Sequence, residues 1–96
     1  MKSDELLARF MQSAKDDPRL SPSHISLFVD ILYLYQCQNC QMPLSVFRRD
    51  LIGLAKIGNR VYHSCVSDLK EWGYIEYLPS FNPVLGSLFY ILKNEK

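Results

Sequence analysis

Asn59, Arg60, His63, Ser64 and Ser67 fall at offsets that place them along one side of a helix. An Asn or Arg side chain can form paired hydrogen bonds with a base edge. Ser, His and the backbone N–H groups of a first helical turn can hold phosphate. Tyr62, Cys65, Val66, Leu69 and Trp72 recur on the opposite side at the same period, which is the face a core would take. Arg48, Arg49 and Lys56 add positive charge just upstream, and Asn82 offers one more amide in a later loop. The pattern suits contact with a polyanion through one helix face, with Arg48 and Arg49 on the backbone.

Other chemistry is less well supplied. Cys37-x-x-Cys40 invites a metal reading, but zinc needs four ligands. His63 and Cys65 could complete a set only from opposite faces of their helix, so the motif reads as two thiols near a helix end. A thioredoxin-like site would need a preceding strand. The third cysteine makes the count odd, which argues against a disulfide framework. His24 reads as an exposed residue in the first turn of a helix and His63 as a phosphate contact or a solvated side chain. Tyr33 and Tyr35 read as core and interface aromatics, and Trp72 as a core anchor. There is no nucleophile–base pair at recognisable spacing, no phosphate-binding glycine loop and no paired carboxylates, so the expectation is a non-enzyme with no cofactor and no small-molecule ligand.

The elements that must position these residues follow from period and punctuation. Leu6, Leu7, Phe10, Met11 and Ala14 make one apolar face over residues 4–15, ended by Asp16-Asp17-Pro18. Ser21 as N-cap and Pro22 as first helical residue open a second helix to about Gln38, apolar nearly all round and therefore central. Gln41 to Leu44 is short, and Pro43 confines any strand there to an edge. Ser45 is expected to cap a third helix with Val46, Leu51, Ile52 and Leu54 as its apolar residues. Lys56-Ile57-Gly58 is the turn, with Gly58 able to go left-handed. A fourth helix from Asn59 to Trp72 stops at Gly73. The period then changes: Tyr74 to Leu78 and Leu88 to Leu92 read as strands around a Pro79–Ser87 loop.

The predicted class is mainly α with a small β-hairpin: a winged helix-turn-helix with an extra N-terminal helix, as a single domain over residues 1–96. Residues 1–17 are the helical extension, 45–72 the helix-turn-helix and 74–92 the wing hairpin. At 96 residues the chain fits one domain, and its 48% hydrophobic and 22% charged content is that of an ordinary globular protein. No apolar run is long enough to span a bilayer, and the acidic N-terminus lacks a signal peptide's apolar core, so the expected location is the cytoplasm. Net charge is only +1, but residues 45–72 hold five bases against three acids while the other stretches are balanced or acidic. The first helix either caps the domain or pairs with a second copy, which makes a homodimer the expected state.

The stretch RRDLIGLAKIGNRVYHSCVSDLKEWGYIEYLPSFNPVLGS resembles small winged-helix proteins of Bacteroidetes, often carried on mobile or conjugative elements. Ile57, Tyr62, His63, Cys65, Leu69, Gly73, Tyr74, Ile75 and Tyr77 match their recognition helix and following strand. Pro79, Ser80, Asn82, Pro83, Gly86 and Ser87 match their wing. The resemblance implies sequence-specific binding of double-stranded DNA by a transcriptional or mobile-element regulator. The wing here carries Phe81, Val84 and Leu85 and no charge, which leaves a protein-interaction module on the same scaffold as the alternative.

Overall fold

The structure, a computed structural model, describes residues 2–79 and 86–92. Its elements are α1 (Ser3–Lys15), α2 (Pro22–Cys37), β1 (Leu44–Val46), α3 (Arg48–Ala55), α4 (Asn59–Glu71), β2 (Ile75–Leu78) and β3 (Ser87–Ile91). The described residues are mainly helical, with a three-stranded antiparallel sheet in the order β1-β3-β2.

Helix α2 is the hub, and its start is fixed locally. Ser21 Oγ accepts the His24 backbone N–H while His24 Nδ1 accepts the Ser21 N–H at 3.0 Å, a reciprocal cap with Pro22 in the first helical turn. Leu27, Phe28, Ile31, Leu32 and Tyr35 are buried around it. Helix α1 lays Leu6 and Phe10 on this hub. The Phe10 ring stacks on Phe28 at 3.8 Å and meets Tyr74 edge-on at 5.4 Å. Burying two such side chains is worth roughly 1.5–3 kcal/mol each. The apolar face of α1 therefore caps the domain through Leu6 and Phe10, while Leu7 and Met11 stay exposed.

Two sequence expectations change at the β1–α3 junction. Ser45 does not cap a helix; it lies in β1, where its N–H donates to Gln38 Oε1 and its carbonyl accepts from Gln38 Nε2. Those bonds and the pairing with Leu88 hold the backbone extended, so α3 begins only after Phe47, which has no side-chain cap. Val46 is accordingly a buried strand residue, and Leu54 is exposed rather than a core residue of α3. The strand bounds shift too. Tyr74 closes α4 by donating its N–H to Leu69, so β2 starts one residue later. Strand β3 gains Ser87 by pairing with Val46.

The sheet register places Ile75 opposite Ile91, and Tyr77 and Leu44 on either side of Phe89. Gly86 leads into β3 with φ +67, and a Cβ there would sit 2.7 Å from the Val46 carbonyl oxygen. Gly86→Ala is expected to cost at least about 2 kcal/mol, from both strain and overlap. Urea denaturation reads it, and a loss under 0.5 kcal/mol would contradict the close approach.

The second lock on the fold is polar. Asp17, buried between α1 and α2, accepts Tyr74 Oη at 2.7 Å and Arg19 Nε and Nη2 at 2.8 Å each. Arg19 also lies over the Trp72 ring at 4.7 Å. The Arg19 guanidinium and then the Tyr74 hydroxyl hold the Asp17 carboxyl well below the usual carboxylate range. A depressed folded pKa means stability that is present above the unfolded value and lost as pH falls towards the folded one. Asp17→Asn should thus cost about 2 kcal/mol at pH 7. The gap to the parent should narrow as pH drops below about 4; chemical denaturation at pH 7 and pH 3 checks both, and a pH-independent gap would refute the charge argument.

Candidate nucleic-acid interface

Helix α4 divides as its period dictates. Tyr62, Cys65, Val66 and Leu69 are buried, while Asn59, Arg60, His63, Ser64 and Ser67 are all exposed. Burial pushes the Tyr62 hydroxyl up to about 12. Burial, with Asp68 nearby, also raises the Cys65 thiol, which makes it a packing residue rather than a nucleophile. The His63 ring rests 5.3 Å from the Tyr62 ring. Val61 is also exposed, at 40%, a residue the sequence reading did not single out.

The turn before α4 is built differently from the expectation. Gly58 is not left-handed: its φ is −76 and it is the N-cap of α4, contributing no side-chain cap. Lys56 takes the left-handed position instead, with φ 58 and ψ 40, and donates its N–H to the Ile52 carbonyl. Helix α3 must reverse direction within a few residues, and it does so at its own end, which leaves Gly58 to be extended. The first-turn N–H groups of α4 consequently have no side-chain acceptor from the cap.

Arg48 and Arg49 are exposed in the first turn of α3, and Arg49 lies over the Phe47 ring at 5.0 Å. Cations are poorly placed at that end of a helix dipole, so the helix itself gains nothing from them. Among the described residues no ion pair engages Arg48, Arg49, Lys56 or Arg60. Lys70, in contrast, is tied to Glu76 at 3.6 Å and to the Tyr77 carbonyl. Asp68 turns to His24 at 2.9 Å. The charges that remain outward around α3 and the start of α4 are therefore more positive than the segment total suggests. Asn82 and the uncharged loop residues Phe81, Val84 and Leu85 lie outside the described residues.

His24 is not exposed, as its place in a first turn suggested, but only 7% accessible. Its Nδ1 accepts from Ser21, so Nε2 carries the proton and donates to Asp68 Oδ2, while its ring packs 5.1 Å from Trp72. Ser21, His24 and Asp68 thus line up as hydroxyl, imidazole and carboxylate. Both the hydroxyl and Nδ1 are engaged in capping α2, so the line works as a clamp between α2 and α4. Trp72 is half-buried under Arg19 and His24 rather than at the centre of the core. Tyr35 is buried as expected for a core aromatic, whereas Tyr33 is 55% exposed.

Cys37 is exposed, Cys40 half-buried and Cys65 buried. Among the described residues no cluster of three His, Cys, Asp or Glu is arranged to hold a metal ion, and no helix is long and apolar enough to cross a membrane. Compared with known proteins, the chain matches no family, no curated protein and no solved structure.

The left-handed Lys56 yields a prediction that separates fold from site. Lys56→Gly relieves a conformation that costs a side-chain-bearing residue about 1 kcal/mol, so it should stabilise the protein by a similar amount. Thermal unfolding measures it; a clear loss of stability would mean that the Lys56 side chain carries packing energy.

Proposed function

We propose that this chain is a winged-helix protein that binds double-stranded DNA in a sequence-specific way and regulates transcription or a mobile element. One observation carries the reading. The outward stripe Asn59, Arg60, His63, Ser64 and Ser67 stands beside Arg48, Arg49 and Lys56, all exposed, with no ion pair among the described residues on any of the four bases. The element order, with two short helices followed by paired strands, supports the winged-helix assignment. In this reading α4 lies in the major groove and α3 crosses the backbone. Asn59 and Arg60 read base edges; His63, Ser64, Ser67, Arg48, Arg49 and Lys56 hold phosphates; Asn82 contacts DNA from the wing. Membership of the Bacteroidetes group that residues 48–87 resemble, a cytoplasmic location, the absence of catalysis or cofactor, and a homodimer on DNA belong to the same proposal.

A second reading, a protein-interaction module, is favoured by the net charge of +1 and by Leu54 and Val61, apolar and exposed on α3 and α4. Mobility-shift titration with genomic fragments at 50 and 200 mM salt, values in the range where counterion release is resolved, separates the two. Arg60→Ala should weaken binding about tenfold or more and relax base preference. Arg49→Ala should weaken all sequences alike and lower the salt slope by about one. Complete absence of salt-sensitive binding would sink the DNA reading in favour of the second.

A further inference from the structure

Helix α1 buries Leu6 and Phe10 and leaves Asp4, Leu7, Ala8, Met11 and Lys15 exposed. At 100° per residue, Asp4, Ala8, Met11 and Lys15 fall within a narrow outward stripe, with Leu7 on its edge towards α2. Beside this edge runs a groove of about 260 Å³ between α1 and α2, lined by Asp4, Leu7, Val29, Leu32, Tyr33 and Gln36. Leu7, Met11, Val29 and Tyr33 are each at least 38% exposed, so the patch is apolar and uncovered.

The stripe is complementary to itself when reversed. Positions 4 and 15 share a midpoint with positions 8 and 11, so one two-fold axis sets Asp4 against a second copy's Lys15 and Ala8 against its Met11. Acid meets base and the smallest side chain meets the longest apolar one, which is what an isologous contact requires. The groove flanks the N-terminal half of α1, as its lining by Asp4 and Leu7 requires, and the second copy's Met11 and Lys15 would lie over that half. A flexible Met is well suited to fill such a gap. We infer that this α1–α2 face is the docking surface for a second copy of the chain, through antiparallel pairing of the two α1 helices. None of the lining residues belongs to α3 or α4, so the paired surface is built without either element. This surface gives a location to the homodimer named above, and it stands without the DNA reading because it is tested without DNA.

Sedimentation across a concentration series, with far-ultraviolet circular dichroism as a check on folding, tests it. The parent chain should move from the 11.2 kDa monomer to twice that mass as concentration rises. Lys15→Glu and Asp4→Lys should each weaken association about tenfold, since each opposes two like charges across the axis. The double variant Asp4→Lys with Lys15→Glu should restore it to within about threefold of the parent. Met11→Glu should abolish it; if that variant does not fold, the charge series still decides. A parent that stays monomeric, a dimer indifferent to these changes, or a double variant that fails to recover would overturn the inference, and none of these results bears on whether a monomer shifts DNA.

Discussion

The carboxylate of Asp17 is buried and negatively charged, and the rest of the structure is arranged around satisfying it. Arg19 approaches from its own turn and Tyr74 from the far end of the helical region, so one charge joins the α1–α2 connection to the residue that closes α4. Arg19 then covers Trp72, and one turn into α2 His24 reaches Asp68. Three contacts thus grip the end of α4: one at Asp68 in its last turns, one at its C-cap Trp72 and one at Tyr74 just beyond. They fix its rotation about its own axis, so Tyr62, Cys65, Val66 and Leu69 point inward and the polar stripe points out. A core of aliphatic side chains alone tolerates small rotations; directional hydrogen bonds to a buried charge do not.

The opposite flank of α2 is held less well. Ser26 makes a long contact of 3.4 Å with the Ala55 carbonyl. One helical turn further, the buried Asp30 Oδ2 has no partner among the described residues, and burial raises the Asp30 pKa. That carboxylate opposes folding at neutral pH where Asp17 supports it. Helix α3, packed on α2, is itself short, uncapped, opened by two arginines and ended by a left-handed lysine. Stability is concentrated on the side that holds α4, and the unfavourable features lie on the side where α2 meets α3.

Much of this was legible in the sequence because it is periodic. The division of α4 into buried and exposed faces, the central role of α2 and the stop at Gly73 all follow from spacing or from one residue's conformational freedom. What was not legible depends on partners distant in the chain. His24 looked exposed because a Ser-x-x-His cap lacks the familiar acidic or amide residue, and Asp68 and Trp72 are far along the sequence. Asp17 looked like part of a helix stop because nothing local announces that Tyr74 will meet it. Ser45 is a good capping residue, yet Gln38 and β3 claim its backbone first. The left-handed position went to Lys56 instead of Gly58 because tertiary geometry sets where a turn reverses, and composition only says which residue would reverse at least cost. The faces of the candidate interface and the central helix behind it were therefore readable, and the long-range polar contacts that orient it were not.

The clamp also has a kinetic side. Tyr74 lies 57 positions from Asp17 and Asp68 lies 44 from His24, so each bond closes a large loop of chain. Local contacts within α1 and α2 form without delay, but until Tyr74 arrives, Asp17 has only Arg19 as its partner and the stacked Phe10 and Phe28 rings lack their edge-on neighbour. The entropy of closing such loops must be met before their contacts stabilise anything, which moves this small helical protein towards the slower folding of chains rich in distant contacts. The sheet closes later still, since among the described residues β1 and β2 have no strand partner but β3, the last of these elements to be made.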